Sequence, residues 1–166
     1  MKTTLVNNNG SESQVMEQYS RLARRYDLRW QSYILSTLGF LKSWINMKAS
    51  EKILDVACGT GALEQMLVKD HPDVNLSGID FSEEMLEIAR QKLSTHPTVV
   101  FLNAKSSALP FPAESFDHVI CANAFHFFSN PTISLSEMKR VLKTGGRMMI
   151  LDWCRDDLIC SLCDLF

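Results

Sequence analysis

Apolar and polar positions along this chain follow two rhythms, and each switch between them marks the end of one element and the start of another. From Ser11, the side chains Val15, Tyr19, Leu22, Ala23 and Tyr26 recur at three- and four-residue spacing. Arg21, Arg24, Arg25 and Arg29 fill the remaining faces, a pattern that predicts a helix. A second helix is predicted from about Arg29 to Ile45, with Trp30, Tyr33, Ile34, Leu38, Leu41 and Trp44 as its apolar side. The rhythm then changes. Ile53, Leu54, Val56 and Ala57 make a short apolar run behind polar Glu51 and Lys52, as suits a strand buried on both faces of a parallel sheet. Leu63, Met66 and Leu67 mark a helix ending near the turn from Asp70 to Asp73, and Val74 to Asp80 reads as the second strand. Met85, Ala89 and Leu93 stripe the next helix, capped by Ser82, and Thr98 to Leu102 is the third strand. Phe116 to Ala122 is the fourth. Asn130 and Pro131 open a helix striped by Leu135, Met138, Val141 and Leu142 and ended by Gly145 and Gly146, with Arg147 to Asp152 as the fifth strand. Leu158, Ile159, Leu162, Leu165 and Phe166 predict the start of an amphipathic helix.

The first strand breaks into a glycine-flanked turn, and that turn is where chemistry is expected. Gly59 and Gly61 lack Cβ, so the chain can reverse sharply and a ligand can lie against bare backbone beside the amides that open the next helix. A dinucleotide pyrophosphate calls for three glycines and no neighbouring carboxylate. Here Glu64 holds the third glycine position and Asp55 stands just before the turn, so phosphate is disfavoured. A ligand bearing an ammonium and a sulfonium is favoured instead, since opposite charges a few ångströms apart attract by about 4 kcal/mol at an effective dielectric near 20. Asp80 follows the turn by about twenty residues, the distance at which a parallel βαβ unit delivers a carboxylate to ribose hydroxyls.

The string Asp55, Val56, Ala57, Cys58, Gly59, Thr60, Gly61 resembles motif I of the class I S-adenosylmethionine-dependent methyltransferases, in their ubiquinone/menaquinone-biosynthesis-like branch. The resemblance runs over about residues 15 to 166. It implies an α/β, Rossmann-like three-layer sandwich with a parallel sheet of order 3-2-1-4-5, the ligand lying between strands 1 and 4 where the order reverses. It also implies N-terminal helices over the cofactor and a chain lacking the family's last two strands. The organisation expected is a disordered tail over 1–10, a helical lid segment over 11–46, and an S-adenosylmethionine-binding core over 47–166, truncated after strand 5 and the start of a helix.

The cofactor-binding set expected on this resemblance and on the residues themselves is Asp55, Ala57, Cys58, Gly59, Gly61, Asp80, Phe81, Met85, Ser106, Ser107, Asn123 and Tyr26. Phe81 and Met85 would border adenine, and Asn123, at the carboxyl end of strand 4, would face the methionine part. Tyr26 and Asp27 match a Tyr-Asp pair of the leading segment, and Tyr19 and Tyr33 share its spacing. One position departs from the family. Before Leu109, Pro110 and Phe111 the family carries an aspartate that accepts from the adenine amino group; here Lys105 stands there and cannot accept, which leaves Ser106 and Ser107 to serve the ring edge. Asp117 matches the family's Phe-Asp pair at the start of strand 4 and is expected to be structural. The aromatic cluster Phe125, His126, Phe127, Phe128 either packs under another element or lines the substrate mouth, and His126 is the candidate general base. Trp153 and Asp156 are candidates for the edge of the substrate site.

Composition narrows the partners. A net charge of −2 over 166 residues leaves no basic footprint for nucleic acid. No apolar run reaches the ~20 residues of a transmembrane helix and the N-terminus shows no signal-peptide pattern, so a cytoplasmic protein is expected. Five cysteines suggest reduced thiols, and Cys160 with Cys163 lack the further ligands that zinc needs, so no metal is expected. The expected function is methyl transfer from S-adenosylmethionine to a small molecule, carried mainly by positioning. The alternatives are a shortened relative that binds the cofactor without turnover, as an assembly or regulatory module, and a nicotinamide-dependent oxidoreductase, which Glu64 and Asp55 weigh against. An apolar edge at strand 5 and the C-terminal helix predicts a homo-oligomer.

Overall fold

The computed structural model describes residues 12–48, 50–153 and 160–164. The strands are β1 (Lys52–Val56), β2 (Asn75–Asp80), β3 (Val99–Asn103), β4 (Phe116–Ala122), β5 (Leu142–Trp153) and β6 (Cys160–Asp164); the helices are α1 (Glu12–Trp44), α2 (Ala62–Asp70), α3 (Glu83–Lys92) and α4 (Pro131–Val141), with a short 3-10 turn over Phe125–Phe127. They build one sheet of order β3-β2-β1-β4-β5-β6, in which the first five strands are parallel and β6 runs antiparallel to β5. The expected 3-2-1-4-5 order is present, and the reversal falls between β1 and β4.

The sheet is sandwiched between two apolar layers, as the continuous apolar runs require. On one face Ile53, Leu76, Phe101 and Ile120 pack with Leu63 and Leu67 of α2, Leu86 and Ala89 of α3, and Ile34, Leu38 and Leu41 of α1. On the other, Leu54, Val56, Ile79, Val119 and Cys121 meet Met138 and Val141 of α4. At the amino ends of the strands Asp117 is structural: it accepts from the Lys52 amide at 2.9 Å and from Lys143 Nζ at 2.8 and 2.9 Å.

Three expectations are corrected. The two leading helices are one, α1, 33 residues long. No Gly or Pro separates Tyr26 from Arg29, so nothing interrupts the helical hydrogen bonds, and the Asp27 side chain turns inward to Thr60 and Lys92. α4 ends at Val141 with Leu142 already extended, and the glycine pair lies inside β5, where Gly146 is pressed so close to Asp117 O that a Cβ would stand 2.8 Å from it. Finally, Cys160–Asp164 is not helical. Its register along β5 runs from Met149↔Asp164 to Trp153↔Cys160, so β6 occupies the edge that was expected to be bare, and association through an open β5 edge loses its geometric basis. The tail over 1–10, Asp156, Leu158, Ile159, Leu165 and Phe166 lie outside the described residues, as does the Trp153 side chain.

Candidate functional site

The carboxyl ends of β1, β2 and β4 open into a cavity of about 810 Å³, counting the part exposed to solvent. Of the residues expected to bind cofactor, Tyr26, Ala57, Gly59, Asp80, Phe81, Met85, Ser106 and Asn123 line it; Asp55, Cys58, Gly61, Ser107 and the candidate base His126 do not. Tyr19, Ile79, Ala104, Lys105, Ala122, Ala124, Phe127 and Phe128 complete the wall. Of these, Ile79 and Ala104 escaped the sequence reading, although Ile79 directly precedes Asp80 at the carboxyl end of β2.

The backbone is strained where it meets the cavity. Ala57 and Asn123, at the ends of neighbouring strands, hold φ values of +64° and +58°, a conformation that non-glycine residues adopt at some expense and that clusters at functional sites. Gly59 (φ +55°) has open space where a Cβ would be, leaving bare peptide toward the cavity. Gly61 (φ +74°) meets Ala89 of α3, where a Cβ would lie 3.0 Å from the alanine Cβ.

Asp80 closes β2 and is only 6% exposed. Its Oδ2 accepts from the Gly59 amide and its Oδ1 from the Ser82 amide, each at 2.9 Å. Burial raises its pKa, while the amides of Ser82, Gly59 and Phe81 pull in the opposite direction. Two fixed donors thus orient the carboxylate while its other lone pairs remain available to the cavity. Asn123 is equally well held: its Oδ1 accepts from Tyr33 Oη at 2.6 Å and its Nδ2 donates to Thr37 Oγ1 at 3.0 Å, both on α1.

Beneath the wall lie two more acids. Asp55, 4% exposed, and Glu64, fully buried, keep Oδ1 of the first and both carboxyl oxygens of the second without hydrogen-bond partners. Burial, and then Glu64 and Asp80, push the Asp55 pKa well up. Glu64 is pushed up to about 7, chiefly by burial, with its own backbone amide and then Lys92 acting in the opposite sense. Burial and the same three acids raise the Cys58 thiol, which makes it a packing group and no nucleophile.

α1 forms one side of the cavity. Tyr19 packs edge-on against Phe127 with ring centres 5.3 Å apart and leans on Tyr26 at 5.8 Å. Burial, then Asp80 and Asp27, push the Tyr26 phenol up to about 12, so both groups stay neutral donors at physiological pH. Asp27 accepts from Thr60 Oγ1 at 2.6 Å and pairs with Lys92, whose Nζ also donates to Thr60 O at 3.0 Å. Ser20 Oγ donates to Glu84 Oε2 at 2.6 Å. His126 sits behind Phe127, ring centres 3.8 Å apart, and Asp152 clamps it by accepting from its amide at 2.7 Å while holding Nδ1 at 2.6 Å.

This donor set fits S-adenosylmethionine. The floor is acidic, has unpartnered carboxyl oxygens one layer down, and presents open peptide at Gly59. Lys105 and Ser106 line the end where adenine is expected, and Ser106 Oγ already shares a hydrogen bond of 2.8 Å with Ser134 Oγ.

A family model described as a methyltransferase domain matches residues 53–146. The chain is similar to the demethylmenaquinone methyltransferase of Deinococcus radiodurans, with 38% identity over 84% of this chain and 60% of that one. It is likewise similar to the enzyme of the same name from Thermus thermophilus, with 39% identity over 81% of this chain and 64% of the relative. It therefore spans less than two thirds of the length of these relatives. Among solved structures, a SAM-dependent methyltransferase of Thermotoga maritima superposes with a TM-score of 0.66 at 27% identity, over 80% of this chain and 59% of that one.

Proposed function

The chain belongs to the class I S-adenosylmethionine-dependent methyltransferases of the ubiquinone/menaquinone type, and from that premise we propose that it methylates a small aromatic acceptor of the quinol class. The observation that carries the reading is one cavity with two characters. Its floor is acidic, with Asp80 in the wall, and its side is aromatic, with Tyr19, Tyr26, Phe127 and Phe128. The relatives named above are demethylmenaquinone methyltransferases, which supports a flat, hydroxylated ring as acceptor.

When bound, S-adenosylmethionine supplies an electrophilic methyl group on a sulfonium. The chain's own residues would hold it: Asp80 by the ribose hydroxyls, the peptides of Ala57 and Gly59 and the alanines flanking Asn123 along the methionine part, and Phe81, Met85 and Ser106 around adenine. Well-oriented reactants gain on the order of 7–11 kcal/mol from positioning and exclusion of water. Asn123, held by Tyr33 and Thr37, and the aromatic stack from Tyr19 to Phe127 supply that order. His126 belongs to the same arrangement as a positioning residue, because Asp152 fixes its ring against the face of Phe127 rather than in the cavity wall.

The test is a transfer assay with labelled S-adenosylmethionine and a panel of quinol, phenol and amine acceptors, run beside calorimetric titration with S-adenosylmethionine, S-adenosylhomocysteine and NADH. Binding of the first two ligands and turnover on quinols are expected. Turnover on amines alone would overturn the acceptor class, binding without turnover on any acceptor would favour a cofactor-binding module, and binding of NADH alone would overturn the cofactor.

A further inference from the structure

We propose that Asp55 and Glu64 carry one proton between them in the free protein and release it when a cationic ligand enters the cavity, so that Glu64 helps decide which ligand charge the site accepts. The inference rests on the cofactor reading above.

The sheet register brings the two acids together. Asp55 of β1 pairs with Gly78 of β2, and partners in a parallel ladder project from the same face. Glu64, in the first turn of α2, lies down on that glycine: a Cβ at Gly78 would stand 2.8 Å from Glu64 Oε1 and 2.8 Å from Cys58 Sγ. The Glu64 carboxyl therefore occupies the space beside Asp55 that a side chain on β2 would otherwise fill. Ala57 and Gly59 follow Asp55 into the cavity wall and Asp80 follows Gly78, which puts the pair one layer beneath the ligand.

The surroundings offer little compensation: against burial stand only the Glu64 backbone amide and Lys92. β2 adds a third carboxylate, Asp80, and the turn adds the Cys58 thiol. β3 and β4 contribute apolar Phe101 and Ile120, and α1 contributes Ile34 and Leu38. From α3, Lys92 draws on Glu64, but it is bound to Asp27 of α1 and to the Thr60 carbonyl. Two ionised carboxylates with three unpartnered oxygens in that setting would be strongly destabilising. Two acids that share a site instead keep a proton, and they titrate as a pair. A cation in the cavity supplies the missing charge and lowers both affinities for that proton. The O–H bond of one carboxyl then breaks, its electron pair stays on oxygen, and the proton passes to bulk buffer.

The test is calorimetric titration of the full chain with S-adenosylmethionine and with S-adenosylhomocysteine, in buffers of different ionisation heat, from pH 6 to 8. With Glu64 near 7, wild type is expected to release about half a proton more per ligand at pH 7 than Glu64→Gln, and to lose affinity by as much as about tenfold per pH unit below that. Glu64→Gln should bind with a flat profile over the same range. The ligand amine titrates alike in both proteins, so the difference belongs to the pair. Equal proton release by the two proteins overturns this inference and leaves the cofactor reading standing. No binding at any pH by a folded wild type overturns the cofactor reading and this inference together. Infrared spectra of the wild type give a second readout, independent of whether the variant folds. A protonated-carboxyl band is expected in the free protein and should fade on ligand addition; its absence from the free protein overturns the proposal.

Discussion

The floor of the cavity and its α1 side are built on opposite principles. The floor is made of strand ends locked by the sheet: Asp80 is fixed by two backbone amides, Gly78 has no room for a methyl group, and Asp55 and Glu64 are sealed beneath. On the α1 side the second half of the helix is anchored in the core by Ile34, Leu38 and Leu41, while the first half is held to the rest by individual side-chain contacts, through Ser20 and Asp27. Rigid burial lets a few charges discriminate sharply between ligands, because water cannot screen them. A helix on separable contacts can instead yield to let a ligand in, since weakly tied elements open at the lowest free energy. On the proposed reading, recognition of the cofactor would belong to the first region, and access to the first half of α1.

The largest effect should come from filling the floor. Gly78→Val places carbon within 2.8 Å of Cys58 Sγ, Glu64 Oε1 and Phe101 Cδ1. Because β2 is hydrogen-bonded on both sides, it cannot retreat. Overpacking of this kind is expected to destabilise by about 3 kcal/mol, read as a lower urea midpoint with an unchanged slope. A loss below about 0.5 kcal/mol would show the floor to be as adaptable as the helix side.

Next comes the buried acid itself. The folded pKa of Glu64 is raised from 4.5 to about 7, so stability is fullest below the unfolded value and declines as pH rises toward the folded one. Glu64→Gln should therefore be more stable than wild type at pH 8, by about 2–3 kcal/mol, with the difference fading toward pH 4.5. Thermal unfolding across that range reads it directly. An advantage that does not change with pH would mean that Glu64 is not titrating in the folded protein.

Asp80→Ala should then weaken S-adenosylmethionine and S-adenosylhomocysteine alike, by roughly thirtyfold, or about 2 kcal/mol for hydrogen bonds to an ionised group. Equal binding by wild type and variant would remove the ribose role.

How much of this could be read from the chain follows the same division. The placing of Gly59 and Asp80 at the cavity was legible because a glycine turn and a carboxylate at βαβ distance are local or regularly spaced signals, whereas Asp55 and Gly61, expected there on the same turn, do not line it. The burial of Glu64 was not legible, since it depends on Gly78 in another strand and on the register that sets Asp55 beside it. The available hint was a glycine inside a strand, which marks a close approach by another group. The single span of α1 was read as two helices, although no breaker stands between Tyr26 and Arg29. At the other end, apolar residues recurring every three or four positions suit a helix, yet Cys160–Asp164 pairs along β5. For so short an apolar run periodicity does not choose, and the partner strand does.

The smallest expected effect tests the helix side. Asp27 accepts from Thr60 and pairs with Lys92, and both groups are partly solvated, at 41% and 21% side-chain exposure. Screening limits such a pair, so Asp27→Ala should reduce global stability by only about 0.5–1 kcal/mol. Its mark should be local. Amide exchange over the first half of α1 should quicken while the amides of β1 and β2 keep their protection, because the contact removed ties the helix to the turn and not the turn to the sheet. Cofactor affinity should fall a few-fold at most, with faster association and dissociation, since the Asp80 amides are untouched. Uniform loss of protection across α1 and the sheet would show that helix and floor open as one unit, and that the separation of recognition from access does not hold.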